Sequence, residues 1–173
     1  HDVLGYALIT CASMGDALRL LSNYQRLINP VFSLRLVRHA DKVDLVYQPQ
    51  LPVSPRLLRF LQETTVVSNH FEFRRMLGGH FGPYDVRLSM PAPRHIRRYR
   101  ELLPARLHFG DTTPGITLSL DAGLLDVPLA MADPRAMAAA EARCKAVLNG
   151  MRRGRNWSDW CEMMLREAED CQP

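Results

Sequence analysis

No stretch of the sequence approaches the roughly 18 consecutive apolar residues that a transmembrane helix needs. Residues 1–13 contain an apolar run, but no basic region precedes it and no convincing cleavage site follows, so no signal peptide is expected. With 47% hydrophobic and 23% charged residues, the composition is that of a globular protein rather than a disordered one. We therefore expect a cytoplasmic chain whose 173 residues include one compact domain with its own core.

Cysteine is also scarce, with four residues at Cys11, Cys144, Cys161 and Cys171. None forms a CxxC pair, and none lies at a zinc-ligand spacing from a histidine. The spread of the four positions favours reduced, partly buried thiols over disulfides or a redox pair. No metal site is predicted.

Motifs that carry catalysis are missing as well. The chain has no GxSxG, GxGxxG, P-loop or HExxH sequence. Of the six histidines only His70 and His80 lie near each other, and their separation is not a ligand spacing. A hydrolase using His108 or Cys11 would need a nucleophile, a base and an orienting group that the sequence does not bring together. We predict that the protein is not an enzyme and needs no cofactor.

Hydrophobic periodicity and end signals predict four helices in the first 150 residues. Ser13 and Asp16 form a capping box ahead of a helix that reaches about Asn29, where Pro30 stops it. Ser54 followed by Pro55 starts a second helix that ends at the glycines after Leu77. A short basic helix over 95–103 and an alanine-rich helix over 133–149, ended by Gly150, complete the set.

Alternation of apolar and polar residues predicts five strands. The runs at 32–36 and 43–47 flank a turn and predict a β-hairpin with one buried face. Further strands are indicated at 84–90, 107–109 and 116–120. Because the connections are short, we expect an antiparallel sheet of about five strands with helices packed on it, which is an α+β domain over residues 1–150.

Beyond residue 150 the pattern changes. Residues 151–156 form a basic, flexible joint that includes Arg152, Arg153 and Arg155. An apolar stripe at helical spacing, which contains Trp157 and Trp160, predicts a further helix over 157–168. The net charge of +4 is a weaker basic bias than a dedicated nucleic-acid domain shows.

Several aromatic side chains on the predicted strands and helices are candidates for a binding site. They could close over a small apolar cavity, with tyrosine hydroxyls orienting a ligand, or they could simply fill the core. The candidates are Tyr24, Phe32, Tyr47, Tyr84 and Phe109, and Tyr99 is a further aromatic residue that could border the same cavity.

The order of these features resembles the arabinose-binding-domain-like sensor region of AraC/XylS-type transcription regulators. The resemblance begins with Leu-Gly-Tyr-Ala-Leu at 4–8, Ser13, the Gly-Asp-Ala-Leu-Arg-Leu-Leu run at 15–21 and Tyr24, followed by the hairpin. It continues through Met-Pro-Ala-Pro at 90–93, Tyr99, and the segments at 107–110, 124–129 and 132–134. No single segment is specific; their order and spacing carry the resemblance.

The resemblance implies a regulator in which a small-molecule effector of unknown identity binds this region and a homodimer forms. In that family DNA is bound by a C-terminal pair of helix-turn-helix units, so residues 157–173 correspond to a truncated start of that reader. Arg152, Arg153 and Arg155 would then lie beside DNA phosphates. Activation is the commoner mode in the family. Two departures are the lack of a helical segment ahead of residue 4 and the missing recognition helices.

Two alternatives stay open. The exposed alanines of the 133–149 helix could allow close approach of a second chain, or could reflect helix propensity alone. The chain could also be a dimerisation or partner-binding module that takes no small ligand.

Overall fold

The structure is a computed structural model, and it describes residues 3–153. The predicted helix at 157–168 and the joint from residue 154 onward lie outside the described residues. Among the helices that are described, none is both long and apolar enough to cross a membrane.

Five helices precede, separate and follow the strands. They are α1 Val3–Ile9, α2 Met14–Tyr24, α3 Pro55–Leu77, α4 Ile96–Leu102 and α5 Pro134–Arg153. Short 3₁₀ turns follow α2 at Gln25–Leu27, α3 at Gly78–His80, and the last strand at Ala122–Asp126. Helix α1 was not predicted, because its seven residues contain no polar face and no periodic pattern. It is helical because α2 and α5 pack against it and bury Leu4 and Ala7.

Local sequence signals place the starts of α2 and α3 as expected. The Ser13 hydroxyl oxygen accepts a hydrogen bond from the Asp16 backbone N–H at 3.2 Å and donates to the Asp16 carboxylate at 2.8 Å. The Ser54 hydroxyl accepts from the Leu57 N–H at 3.3 Å, with Pro55 in the first turn. Both caps satisfy amide groups that have no partner within the helix.

The end of α5 differs from the prediction. Gly150 was expected to stop this helix, but α5 continues to Arg153. A glycine ends a helix by adopting positive φ, and among the described residues only Gly78, Gly110 and Gly115 do so. Gly150 instead keeps a helical conformation, at a propensity cost of about 1 kcal/mol relative to alanine. The helix therefore runs into the segment predicted to be a flexible joint.

The sheet has five strands in the order β1-β2-β5-β3-β4. These are β1 Phe32–Arg38, β2 Lys42–Pro49, β3 Tyr84–Leu88, β4 Ala105–Phe109 and β5 Ile116–Asp121. The predicted hairpin is confirmed: β1 and β2 pair with Leu36 opposite Leu45, and the His39 N–H donates to the Lys42 carbonyl at 2.8 Å across the turn.

The sheet is mixed, so the prediction of a purely antiparallel sheet is wrong at one pair. Strands β3 and β4 run parallel, with Val86 opposite Leu107. Helix α4 lies in the connection between them and carries the chain back to the starting end of β3, which is how parallel neighbours are joined. The other three pairs, β1–β2, β2–β5 and β3–β5, are antiparallel.

One face of the sheet forms one side of the hydrophobic core. Alternate residues on this face are buried, including Phe32, Leu45, Tyr47, Val86 and Leu118. The helices supply the other side of the same hydrophobic cluster, from α2, α3 and α5. This is the α+β arrangement that the sequence predicted.

The opposite face of the sheet is polar and holds an ion-pair cluster around Asp85. The Arg106 guanidinium donates to both Asp85 carboxylate oxygens, at 2.6 and 2.8 Å, and thereby joins β3 to the edge strand β4. The Lys42 ammonium lies 3.6 Å from the same carboxylate. These contacts hold the pKa of Asp85 below its usual range, chiefly through the hydrogen bonds from Arg106.

Candidate functional site

A large cavity lies between the helices on the buried face of the sheet. It has a volume of about 1430 Å³ and is bounded by α1, α2 with its following 3₁₀ turn, α3 and α5. Most of its wall is apolar, with Leu18 and Leu21 from α2, Leu61 and Phe73 from α3, and Ala140 from α5. The volume exceeds the ~300–1,000 Å³ typical of small-molecule pockets, and the cavity also opens to solvent.

The sheet contributes a single tyrosine to this cavity, Tyr47 of β2. Its hydroxyl donates a hydrogen bond to the Asn69 side-chain oxygen at 2.9 Å, and the Asn69 amide nitrogen donates to the Thr65 carbonyl at 2.8 Å. Burial raises the pKa of Tyr47 far above its ordinary value. The hydroxyl is therefore neutral at any physiological pH, and it connects β2 to the inner side of α3.

Two further polar side chains on the wall have hydrogen-bonding capacity to spare. Gln25, in the turn after α2, is 4% exposed and lines the cavity. Thr65, on α3, is 9% exposed and also lines it. Within residues 3–153 neither residue has a fully buried polar side-chain atom that lacks a partner, so these polar atoms are accessible from the cavity. An amide and a hydroxyl at the cavity surface can bind a ligand or water, since each both donates and accepts.

Charged groups are confined to the rim. Glu72 and Arg75 of α3 and Arg143 of α5 line the cavity, and all three residues are exposed. The Arg75 Nε atom lies 3.8 Å from the Glu72 carboxylate. Exposed apolar side chains, Tyr6 and Leu57 among them, mark the same opening.

Tyr47 is the one predicted binding residue of the five that the structure places on the cavity wall. Phe32 lies behind it, with ring centroids 6.4 Å apart in an edge-to-face arrangement. Phe32 is fully buried and supports the Tyr47 ring. Tyr24 lies beside the cavity rather than on its wall, and its hydroxyl is 3.4 Å from a Glu141 carboxylate oxygen on α5.

The remaining two candidates lie in other parts of the core. The Tyr84 hydroxyl is hydrogen-bonded to Nδ1 of the buried His70 at 3.1 Å, and its ring stacks on Phe81. Phe109, on the edge strand, packs edge-to-face against Tyr99. Tyr84 lies in the core and Phe109 packs against it, and neither residue lines the cavity.

Sequence reasoning missed the polar residues Gln25, Thr65 and Asn69. Each sits on a helix or turn beside an exposed polar residue, which is Arg26, Thr64 or Ser68. The local sequence therefore carries no signal that these three polar residues are directed towards a cavity. The structure divides the alanines of α5: Ala136, Ala139 and Ala140 line the cavity, with Ala139 at its exposed mouth, whereas Ala138 and Ala142 are exposed outside it.

The other chemical groups singled out in the sequence lie apart from one another. Cys11 and Cys144 are buried and are not joined in a disulfide, as predicted, while Cys161 and Cys171 lie outside the described residues. Across residues 3–153 no three His, Cys, Asp or Glu side chains converge as a metal site. Arg152 and Arg153 fall in the last turn of α5, and Arg155 is beyond the described residues.

The fold and the cavity together define an α+β domain whose helices border an apolar cavity with a few neutral hydrogen-bonding groups. The model of one protein family, the arabinose-binding N-terminal domain of AraC transcription regulators, matches residues 1–129. The chain belongs to this family, and the resemblance noted in the sequence is confirmed.

Two relatives agree with this assignment. The ornithine utilization regulator of Pseudomonas aeruginosa is 26% identical over 148 residues, covering 86% of this chain and 43% of the relative. The crystal structure of the transcriptional regulator CdpR from Pseudomonas aeruginosa is similar, with a TM-score of 0.67 and 26% identity over 80% of this chain and 44% of that one. The chain thus spans less than half the length of either regulator. Both relatives are transcription regulators rather than enzymes.

Proposed function

We propose that this chain is the effector-sensing region of a transcription regulator, and that it controls a DNA-binding domain carried elsewhere in the protein. One observation carries the proposal: the cavity wall includes α5, the helix that leads out of the domain. Ala136, Ala139 and Ala140 of α5 line the cavity opposite α3. A molecule in the cavity would therefore contact the element through which the domain is joined to the rest of the chain.

The mechanism requires two arrangements of α5 with different ligand affinities, because a ligand shifts an equilibrium only by its differential affinity for the two states. Helix α5 packs mainly on α1 and on the turn after α2, both of which also line the cavity. The Tyr24–Glu141 contact is a further link between α2 and α5. Filling the cavity is expected to change how tightly α5 is held against these neighbours.

The residues that follow α5 would link this domain to DNA. Residues 151–156 would form a basic joint in which Arg152, Arg153 and Arg155 contact DNA phosphates, and residues 157–173 would begin a helix-turn-helix domain. Such a protein would act in the cytoplasm as an effector-dependent regulator, without enzymatic activity. The similarity to two transcription regulators supports this assignment.

The test is ligand-dependent stabilisation of the intact protein with a matched pair of α5 variants. Ala139 is exposed at the mouth of the cavity, so Ala139→Trp places a bulky ring in that mouth, whereas Ala138→Trp places the same ring on an exposed position outside the cavity. A metabolite that binds the cavity should raise the melting temperature of the wild type and of Ala138→Trp equally, and that of Ala139→Trp by less. If Ala139→Trp responded to the ligand as strongly as Ala138→Trp, the cavity would not be the sensing site.

A partner-binding module without a small ligand is the second candidate function, and one feature of α3 favours a protein contact there. The face of α3 directed away from the sheet carries an apolar ridge of Leu57, Phe60 and Phe71, which are 44%, 58% and 50% exposed. Large apolar side chains this exposed on one helix face are typical of a protein interface. If a broad ligand panel gives no response, this module becomes the better description.

The occupant we propose for the ridge is a second copy of the chain, which makes the regulator a homodimer. Two antiparallel α3 helices related by a two-fold axis at Thr64 would place Leu57 of one copy opposite Phe71 of the other. The same register sets Arg56 opposite Glu72, so that opposite charges meet at both ends. A two-fold interface requires this kind of self-complementarity.

Light scattering after size-exclusion chromatography tests the dimer. Phe60→Glu should dissociate it, whereas Met131→Glu, at a residue 60% exposed elsewhere, should not. Arg56→Glu should weaken the dimer and Arg56→Glu with Glu72→Arg should restore it. A wild-type monomer contradicts the homodimer, and a dimer that survives Phe60→Glu but not Ala138→Glu would move the interface to α5.

A further inference from the structure

The chemistry of the cavity wall defines which class of molecule fits it, and this inference rests on the sensing function proposed above. Below the exposed rim, the polar side chains on the wall are uncharged: Gln25, Asn29, Tyr47, Thr65 and Asn69. Asn69 and Tyr47 bond to each other, so their polar atoms are already largely used. The Asn29 side-chain oxygen accepts from the Val31 N–H at 3.0 Å, so the Gln25 amide and the Thr65 hydroxyl are the most buried groups that can still bind a ligand.

The location of Gln25 supports its role in binding a ligand. Gln25 is 4% exposed and lines the cavity, so its amide has lost most of the solvation it would have in bulk water. The loss is avoided when a ligand or ordered water in the cavity supplies the donor and acceptor. Gln25 also lies in the turn that packs on α5. A ligand held by Gln25 is therefore adjacent to the helix that leaves the domain.

The wall is poorly matched to charged or polyhydroxylated molecules. Its three charged residues, Glu72, Arg75 and Arg143, are all exposed at the rim. A charge taken deeper would be desolvated without a counterion, which is strongly unfavourable. A sugar would need a hydrogen bond for each buried hydroxyl, and most of the interior is aliphatic or aromatic.

We propose that the cavity takes an uncharged, largely apolar molecule that carries one or two neutral polar groups, such as a hydroxyl or a carbonyl. The apolar part fills the space between α2, α3 and α5. The polar group exchanges hydrogen bonds with the Gln25 amide and the Thr65 hydroxyl. Free ornithine, after which one relative is named, and a free pentose both fall outside this class.

A homologous probe series tests the class with the intact protein. Calorimetry would compare 1-decanol and 2-decanone with decanoate and decylamine, which have the same chain length and a charged end, and with L-arabinose and L-ornithine. The neutral probes should bind at least about 10-fold more tightly than the charged ones, because burying the charge costs more than the ~1.4 kcal/mol that a factor of ten represents. The sugar and the amino acid should give no saturable heat. Ala139→Trp, which places a bulky ring at the cavity mouth, should weaken binding of the neutral probes, whereas nonspecific partitioning would be unaffected by it.

Gln25→Met identifies the anchoring residue, since it keeps the length of the side chain and removes its hydrogen bonds. It should weaken 1-decanol binding about 3- to 10-fold, the value of one ligand hydrogen bond. Gln50→Met, at an exposed glutamine outside the cavity, should leave binding unchanged. Thr65→Val provides a second anchoring variant if Gln25→Met alters the fold.

The outcomes separate this inference from the function on which it rests. Tighter binding of decanoate, decylamine, arabinose or ornithine in a manner weakened by Ala139→Trp would overturn the ligand class and leave the sensing function intact. Equal binding of 1-decanol by wild type, Gln25→Met and Thr65→Val would remove the anchoring role. If nothing in the series or in a broad metabolite panel bound, both the ligand class and the sensing function would fail.

Discussion

Gly115, at the start of β5, is the position where adding one methyl group should damage the fold most. Its φ of +111° lies in a region that residues with a side chain rarely adopt. A Cβ atom there would overlap the carbonyl oxygen of Tyr47 on the neighbouring strand, and would lie 3.1 Å from the Tyr47 carbonyl carbon and 3.2 Å from Cδ of Pro49. None of these neighbours is the free end of a flexible side chain.

The expected cost of Gly115→Ala has two parts. Positive φ costs an alanine about 1–2 kcal/mol. Relief of the overlap requires β2 and β5 to separate, where Ile116 is paired with Tyr47, and this raises the total to at least about 3 kcal/mol. For a protein of this size that corresponds to a fall in melting temperature of about 6–12 °C.

Two other glycines are matched controls. Gly110 also has positive φ, +75°, but a Cβ atom there meets nothing within 4 Å, so Gly110→Ala should cost only the conformational part, about 1–2 kcal/mol. Gly82 has neither feature and Gly82→Ala should change stability by less than about 0.5 kcal/mol. Urea denaturation of the three variants measures the order of their stabilities directly. A Gly115→Ala protein no less stable than Gly110→Ala would refute the close approach of β5 to Tyr47.

Asp85→Asn should remove the part of the stability that Asp85 loses in acid. The folded-state pKa of Asp85 is lowered, chiefly by Arg106. The ionised Asp85 therefore stabilises the fold above the ordinary carboxyl pKa, and this stabilisation is lost as the pH falls through the lowered pKa. Between pH 7 and pH 3, the melting temperature of Asp85→Asn should fall less than that of the wild type, whereas Glu101→Gln, whose ion pairs are exposed, should behave like the wild type. The same pH dependence in Asp85→Asn and the wild type would exclude this role of Asp85. Ser13→Ala should lower stability by about 1 kcal/mol, measured by urea denaturation, and an unchanged midpoint would mean that the cap does not stabilise α2. Burial raises the pKa of the Cys11 thiol to about 11, so this thiol should resist DTNB at pH 8 in the native protein and react in denaturant; rapid native modification would contradict its burial.

Much of the secondary structure was accessible from the sequence because its determinants are local. Ser13 and Ser54 start helices by bonding to amides three residues away, and the hairpin follows from alternation on both sides of a short turn. Such signals depend only on neighbours in the chain, so they need no knowledge of the tertiary fold. The family resemblance was accessible for a related reason, since it rests on the order of these same segments.

The candidate site was accessible only in outline. Tyr47 was predicted and lies on the cavity wall, but Tyr84 and Phe109 have equally good patterns and lie elsewhere. Alternation places a side chain on one face of a sheet without saying which helices cover it. Gln25 and Thr65 were overlooked because a buried polar residue in a helical pattern looks like an irregularity until the cavity beside it is seen.

By itself the sequence determined where most helices and strands begin, which strand face is buried, and which family the chain belongs to. Tertiary structure alone decided that β4 runs parallel to β3, that residues 3–9 are helical, and that α3 stands away from α2 and α5 with a cavity between them. The reason is the range of the interactions. Caps, turns and alternation act over a few residues, whereas strand direction, a short apolar helix and a cavity depend on contacts between segments far apart in the chain.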